Sequence, residues 1–460
     1  MEQSVTFDLE LIKRYDKAGP RYTSYPTAVE FNENFTAASY KEQVKLSNQH
    51  SGPLSLYFHL PFCDTVCFYC ACNKIITKNR KHAEPYLANL HKEIALQAAL
   101  FDSDRLIEQL HWGGGTPTFI SHDQMRELMT VTRKHFKLAD DEHGEFSIEV
   151  DPREADPETI KVLREIGFNR LSLGVQDFNP IVQKAVNRIQ SEQETFAVID
   201  AARESGFRSI SLDLIYGLPH QTPDSFAETL DKIIAVNPDR LSVFNYAHMP
   251  ERFKVQRQMN SEDMPKSEVK LEILQRSIEQ LTAAGYVYIG MDHFAKPEDE
   301  LAIAQQENKL YRNFQGYSTH SECDLIGLGI TSIGSVGDSY SQNQRTLEDY
   351  SASLEKNELP VFRGFELNHD DKIRRVVITR LICHFYLNIT AIEAELNINF
   401  EAYFSSAYPQ LKQFAEDGLL TFDKNSINVL PAGHLLIRNI CMAFDFYIQQ
   451  KTDQQFSKVI

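Results

Sequence analysis

What the sequence is short of narrows it first. No apolar run approaches the roughly 18 residues that a membrane-spanning helix needs, which argues against insertion into a bilayer. The opening stretch, MEQSVTFDLELIKRYDK, mixes acids and bases without an apolar segment, so no secretory signal is read and a cytoplasmic protein is expected. Basic residues are in deficit, 47 Lys and Arg against 64 Asp and Glu, and the formal net charge of −17 disfavours nucleic acid, whose binding needs a basic footprint. Low-complexity tracts and long linkers are missing too. Cysteine is sparse and its count of seven is odd; in a reducing compartment, structural disulfides are not expected to be its main use.

Four of those seven cysteines stand inside ten residues, in PFCDTVCFYCAC at 61 to 72, with the spacing C-x3-C-x2-C-x-C. Structural zinc sites bring together close pairs from separated segments, so this tight run suits zinc poorly. An iron-sulfur cube is larger, and one loop reaches several of its corners. Four ligands would saturate the cluster for electron transfer, whereas Cys63, Cys67 and Cys70 alone would leave one iron open for chemistry. Sterics mildly favour three, and the role of Cys72 stays open. Cys323, Cys383 and Cys441 stand alone and are read as small buried hydrophobes.

Around the cysteines the chain alternates strand and helix. PLSLYFHL carries Leu54, Leu56, Phe58 and Leu60 against Ser55, Tyr57 and His59, the period of a strand. A helix is predicted over about 82 to 101, then an apolar strand ending EQLHW, the turn GGGTP and a helix opening at Ser121 with Gln124 three residues on, a capping box. The unit recurs as FSIEV with Asp156 and Pro157, RLSLGV with Ser191 and Glu194, and SISLDL with a helix near TPDSFAETLDKII. RLSVFNY and YVYIGM add strands six and seven. Gly167, Gly206 and Gly285 suit the left-handed residue that ends a helix.

An open sheet and a barrel both fit this α/β alternation, but residue placement leans to a partial (β/α) barrel. Polar groups collect at strand C-termini, where a barrel gathers its active site: the cysteines, Gly113 to Thr116, Glu149, Gln176, Asp213, His248, and Asp292 with His293. We divide the chain into an N-terminal arm (1–36), the barrel (37–365) and a C-terminal mainly helical domain (366–460) with a small hairpin at LLTFDKNSINVL.

The residues also carry a resemblance. Cys63-x3-Cys67-x2-Cys70, with Tyr69 before the third cysteine and YFHLP before the first, resembles the signature of radical S-adenosylmethionine (SAM) enzymes. PRYTSYPT at 20 to 27, CNKI after the fourth cysteine, LHWGGGTPT at 110 to 118, IEVDPRE at 148 to 154, LSLGVQDFN at 171 to 179, DLIYGLP at 213 to 219, SVFNYAH at 242 to 248, NFQGY at 313 to 317 and RNICMAFD at 438 to 445 resemble the oxygen-independent coproporphyrinogen III oxidases nearly end to end.

That resemblance implies the radical SAM type of barrel, with a 4Fe-4S cluster on Cys63, Cys67 and Cys70 whose open iron chelates SAM. Reductive cleavage then gives a 5'-deoxyadenosyl radical. It implies two SAM molecules held by Tyr57, Tyr69, Gly114, Gly115, Thr116, Glu149, Gln176, Arg188, Asp213, Ala247 and Ile333. Read without it, Glu149 suits a structural ion pair and Arg188 a surface site. The implied reaction turns two propionates of coproporphyrinogen III into vinyl groups, with an electron donor such as a flavodoxin or ferredoxin. A monomer is expected. Four substrate carboxylates on an acidic protein call for a local basic clamp, for which Arg14, Lys17 and Arg21 of the arm are our choice. The rival is a haem-binding chaperone of the same superfamily; such relatives typically lack the Cys-x-Cys ending and the PRYTSYPT arm.

Overall fold

The strand periods carry over into a single large sheet. In the computed structural model, which describes residues 5–450, six successive strands lie side by side and parallel: β1 (Leu54–Leu60), β2 (Leu106–Gly114), β3 (Glu145–Val150), β4 (Arg170–Gln176), β5 (Ser209–Tyr216) and β6 (Arg240–Asn245). Such order, in which each strand neighbours the next in sequence, is barrel-like winding with the crossover helices on one face. Those helices include Ala83–Ala98, His122–His135, Pro157–Glu165, Glu192–Glu204 and Pro223–Val236.

The seventh expected strand behaves differently. YVYIGM gives β7 (Val287–Gly290), but a short antiparallel strand, β8 (His293–Ala295), lies between it and β6. The next parallel neighbour comes from farther along the chain: β9 (Asp324–Leu328) pairs on the free side of β1, with Leu54 opposite Asp324. Antiparallel strands at Ile333–Val336, Ser339–Asn343 and Val361–Glu366 extend that edge. Among the described residues the β7 edge and the Val361–Glu366 edge do not pair, so the barrel stays open.

Helix starts follow their sequence signals. Ser121 accepts from the Gln124 amide, Ser191 from Glu194 and Asp156 from Thr159; each such cap contributes about 1 kcal/mol. Gly167, Gly206 and Gly285 have φ of 111°, 79° and 91°, a region that glycine alone enters freely. The aromatic residue after each, Phe168, Phe207 and Tyr286, is buried.

One alternation decides where chemistry is placed. Ile148, Leu173, Leu212 and Val243 are buried on the helix-packed side of the sheet, whereas Ser147, Ser172, Ser211 and Ser242 line the lumen. Strand pairing sets Gly174, Asp213 and Ser242 abreast. The lumen is therefore polar along its length.

Beyond the barrel, helices at His369–His384, Ile389–Leu396, Phe400–Tyr403 and Tyr408–Glu416 surround a three-stranded antiparallel sheet. The expected hairpin supplies Leu420–Phe422 and Ser426–Val429, and Tyr386–Asn388 adds the third strand. The arm contains a helix at Leu9–Tyr15 capped by Asp8. It lies on the C-terminal segment. Tyr15 packs against Phe414 at 5.4 Å, Asn439 Nδ2 donates to the Tyr15 carbonyl (2.9 Å), and Tyr22 Oη donates to Asp445 (2.9 Å).

Candidate active site at the cysteine loop

The chain leaves β1 and runs straight into the cysteines, as the alternation predicts. A two-residue parallel pairing of Phe62–Cys63 with Ile75–Ile76 pinches the loop into a closed excursion. Cys67 is buried, Cys63 and Cys70 are half-buried, and Cys72 is exposed. Their surroundings differ. Arg153 Nη2 and Arg188 Nη1 both point at Cys67 Sγ, at 3.4 and 3.6 Å. Burial pushes the Cys63 thiol up to about 11, partly opposed by a hydrogen bond from Thr116 Oγ1 (3.5 Å). The Cys72 thiol donates to Cys70, which draws Cys70 down to about 6 with Lys74 assisting. Lys74 Nζ also donates to the Cys70 carbonyl at 3.0 Å.

The two guanidiniums are held by a shared carboxylate. Asp151 accepts from Arg153 at 2.6 Å and from Arg188 at 2.9 Å, and Arg188 also donates to the Gly174 carbonyl (2.6 Å). Arg188 is 6% exposed, so the surface reading of this residue is corrected. Its buried Nε has no hydrogen-bond partner among the described residues.

Opposite the cysteines lies the glycine turn. The amides of Gly115 and Thr116 donate to the Leu60 and Phe62 carbonyls, both at 2.8 Å, which draws the turn against the end of β1. A Cβ on Gly115 would stand 2.7 Å from backbone atoms of Pro61 and Phe62. Glu149, at the end of β3, accepts from the Gly114 amide (3.1 Å) and lies 3.4 Å from His111 Nε2. Burial alone would raise its carboxyl, but His111, the Gly114 amide and His59 hold it below the usual carboxylate range. Asp213 goes the other way. Burial pushes its carboxyl up to about 6, against hydrogen bonds from Ser242 and Ser172.

Together these groups enclose a cavity of about 270 Å3. Cys63, Cys67, Tyr69, Cys70, Cys72, Gly114, Gly115, Thr116, Glu149, Gln176, Arg188 and Asp213, all named from sequence, line it. Gln176 does so from a left-handed conformation (φ 65°) at a bulge in β4. Tyr57, Ala247 and Ile333 stand outside that lining. Tyr57 stacks on His111 (5.8 Å, 10°), while Gln256 Nε2 approaches the carbonyls of Tyr69 and Ala247 at 3.3 and 3.4 Å. Ile333 packs beside Phe31 and Tyr340.

A second chamber of about 210 Å3 continues down the lumen and shares Glu149, Ser172, Asp213 and Phe244 with the first. His293 borders it, held neutral by burial and by Arg312, Arg21 and Arg240, which push its imidazole down to about 3. Two of the arm cations are engaged in ion pairs. Arg14 pairs with Asp417 (2.5 Å), Arg21 with Asp292 (2.8 Å), and Lys17 is exposed.

Comparison with known proteins now bears on this geometry. A family model described as Radical SAM superfamily matches residues 57–233, and one described as HemN C-terminal domain matches 367–436. The oxygen-independent coproporphyrinogen III oxidase of Pseudomonas aeruginosa is 54% identical over 460 residues, 100% of both chains. The chain belongs to the oxygen-independent coproporphyrinogen III oxidases. A relative of the same name from Escherichia coli K12 is 50% identical, covering 100% of this chain and 99% of that one. The solved structure described as "Coproporphyrinogen III oxidase (HemN) from Escherichia coli is a Radical SAM enzyme" superposes with a TM-score of 0.92 at 48% identity, over 97% of this chain and 100% of that one.

Radical SAM membership implies a 4Fe-4S cluster and SAM, and the residues of this family member fit both. Four thiols on one pinched loop adjoin an open cavity, cations face the most buried sulfur, and Arg188 keeps a buried donor in reserve. The sequence reading missed Asp151 and Arg153, although both lie in IEVDPRE, two and four residues after Glu149. It also missed Arg312, which is 6% exposed with Nε and Nη1 unpartnered among the described residues.

Proposed function

We propose that the chain carries out the anaerobic oxidative decarboxylation of two propionate side chains of coproporphyrinogen III, giving the vinyl groups of protoporphyrinogen IX. The observation that carries this reading is identity of 50–54% over the full length to enzymes named for it, with a cysteine loop that opens on a polar lumen. Per propionate, one hydrogen atom leaves the β-carbon, CO2 departs, and one electron passes to an acceptor.

The bound cluster and SAM supply the hydrogen-abstracting radical. Cys63, Cys67 and Cys70 hold the cluster, with Arg153 and Arg188 both donating toward the Cys67 sulfur. Tyr69, Gly114, Gly115, Thr116 and Glu149 hold one SAM, where the close approach of backbone at the turn suits a ligand edge. Gln176, Arg188 and Asp213 hold a second, and Tyr57, Ala247 and Ile333 join the set on the strength of the family resemblance. Cys72, exposed beside the three ligands, is left out of the ligand set and is the candidate for a catalytic thiol. The substrate carboxylates fall to Arg14, Lys17 and Arg21, joined by Arg312, whose buried and unpartnered nitrogens suit a desolvated carboxylate.

In this reading the protein is a cytoplasmic monomer, built as an arm (1–36), a barrel (37–365) and a C-terminal domain (366–460) and reduced by a flavodoxin or ferredoxin. Among the described residues no helix is long and apolar enough to cross a membrane.

The test is anaerobic reconstitution with SAM, a reductant and coproporphyrinogen III, followed by assay for the divinyl product and CO2. A loaded cluster that binds SAM and tetrapyrrole without product would overturn the reading in favour of the haem-binding chaperone. Arg21→Ala should weaken substrate binding and leave SAM cleavage intact. Cys72→Ser should still assemble the cluster.

A further inference from the structure

Far from the cysteine loop, the opposite end of the sheet gathers a second set of metal-binding side chains. Glu108 belongs to β2 near its N-terminus, and His320 and Cys323 lie on the short connection that leads into β9. Their ligand atoms fall within 4.8 Å of one another. β1 separates this cluster from the cysteine loop by six residues of strand, about 20 Å at ~3.3 Å per residue.

The imidazole of His320 is aimed from both sides. Its Nδ1 faces Glu108 Oε2 at 3.6 Å, and its Nε2 faces Glu145 Oε2 at 3.7 Å. Glu145 is itself fixed, accepting from Gln109 Nε2 (3.0 Å) and lying 3.6 Å from Arg170 Nε. A histidine that ligates a metal through one ring nitrogen commonly donates its other N–H to a carboxylate, which sets the tautomer. Glu145 stands where that carboxylate belongs. Access is available as well, since Cys323 lines a groove of about 790 Å3 together with Thr319, Ser321 and Glu322.

We propose that Glu108, His320 and Cys323 bind one zinc ion, through a carboxylate oxygen, Nδ1 and the thiolate, with water in the fourth position and Glu145 accepting from His320 Nε2–H. A thiolate, an imidazole and a carboxylate together select a borderline cation such as Zn2+ over Mg2+ or Ca2+. Tetrahedral zinc with bonds of about 2.0–2.3 Å spaces its ligand atoms about 3.3–3.8 Å apart. Three half-buried side chains therefore need to close by about 1 Å. Binding exchanges the cysteine S–H bond for an S–Zn bond and releases one proton to solvent. The ion would pin residues 320–323 to β2, and with them the hairpin of Tyr311–Asn313 and Gly316–Ser318 that precedes them. This inference does not rest on the proposed decarboxylation.

The test uses the reconstituted holoenzyme with its cluster intact, exposed to zinc sulfate against a chromophoric chelator under anaerobic conditions. Zinc and iron are then counted separately by mass spectrometry. One zinc per chain is expected, with affinity falling about 10–100-fold in Glu145→Gln, which removes only the orienting charge, while iron content holds. Cys323→Ser and His320→Gln, which each remove a ligand, should fall further. As a second readout, Co2+ in place of zinc should give a thiolate-to-cobalt band that Cys323→Ser lacks. Absence of retained zinc, or equal retention in the unmodified protein and both ligand variants, overturns the proposal.

Discussion

Cys70 and Cys323 stand at opposite ends of one parallel sheet and meet opposite fields. At the C-terminal end, Cys70 is drawn down to about 6 by the Cys72 thiol and Lys74, and its neighbour Cys67 is faced by two guanidiniums. At the N-terminal end, burial and the carboxylates of Glu108, Asp324 and Glu145 push the Cys323 thiol up to about 12. Cys383, inside the C-terminal helices, also reaches about 12, through burial. Thiol chemistry in this chain is therefore set by burial together with the charges that the fold brings to the sulfur. The cation-faced end is prepared to hold an anionic cluster, and the carboxylate-faced end to attract a cation.

The comparison breaks most severely at its centre. Cys67→Ser should abolish cluster assembly and product formation, read as anaerobic iron content and divinyl product. Next come the cations: Arg153→Ala and Arg188→Ala should each weaken cluster or cofactor retention by about 10–100-fold, and Arg153→Lys should recover part of it. Unchanged iron in both alanine variants would show that the guanidiniums are incidental.

Gly115→Ala, whose new Cβ meets backbone atoms that have no side-chain freedom to yield, should cost about 1–3 kcal/mol in anaerobic denaturation. Asp213→Asn tests the lumen. A carboxyl raised to about 6 in the fold, against about 3.9 unfolded, favours the fold most when protonated, below pH ~4. That advantage is lost as pH rises through about 6. The asparagine variant should therefore gain thermal stability over the aspartate at pH 7.5, and the gain should shrink at pH 5. The smallest effect belongs to the opposite end: without added zinc, Cys323→Ser should leave iron content and product rate within about twofold.

Local physics was the part readable from sequence. The capping pairs Ser121 with Gln124 and Ser191 with Glu194 form as expected, since each needs only residues three apart. So do the strand periods and the residues that end each strand, Glu149, Gln176 and Asp213 among them, which reach one cavity, whereas Tyr69 and Arg188 were named from the resemblance alone. Long-range pairing was hidden. Nothing near residue 324 announces that β9 will sit beside β1, about 270 residues earlier. The Leu9–Tyr15 helix is too short to declare itself without the C-terminal surface beneath it. Asp151 and Arg153 sit in plain view in IEVDPRE, but only the fold turns both arginines toward Cys67.

The docking of the arm has a consequence in time. Its partners, Asp417, Asn439 and Asp445, lie some four hundred residues downstream of Arg14, Tyr15 and Tyr22. At a synthesis rate of about 5–20 residues per second, the arm waits roughly 20–80 s for them to emerge. The barrel strands that follow it can pair with one another well before then. The arm is thus made long before the residues that fasten it, and it spends that interval unanchored.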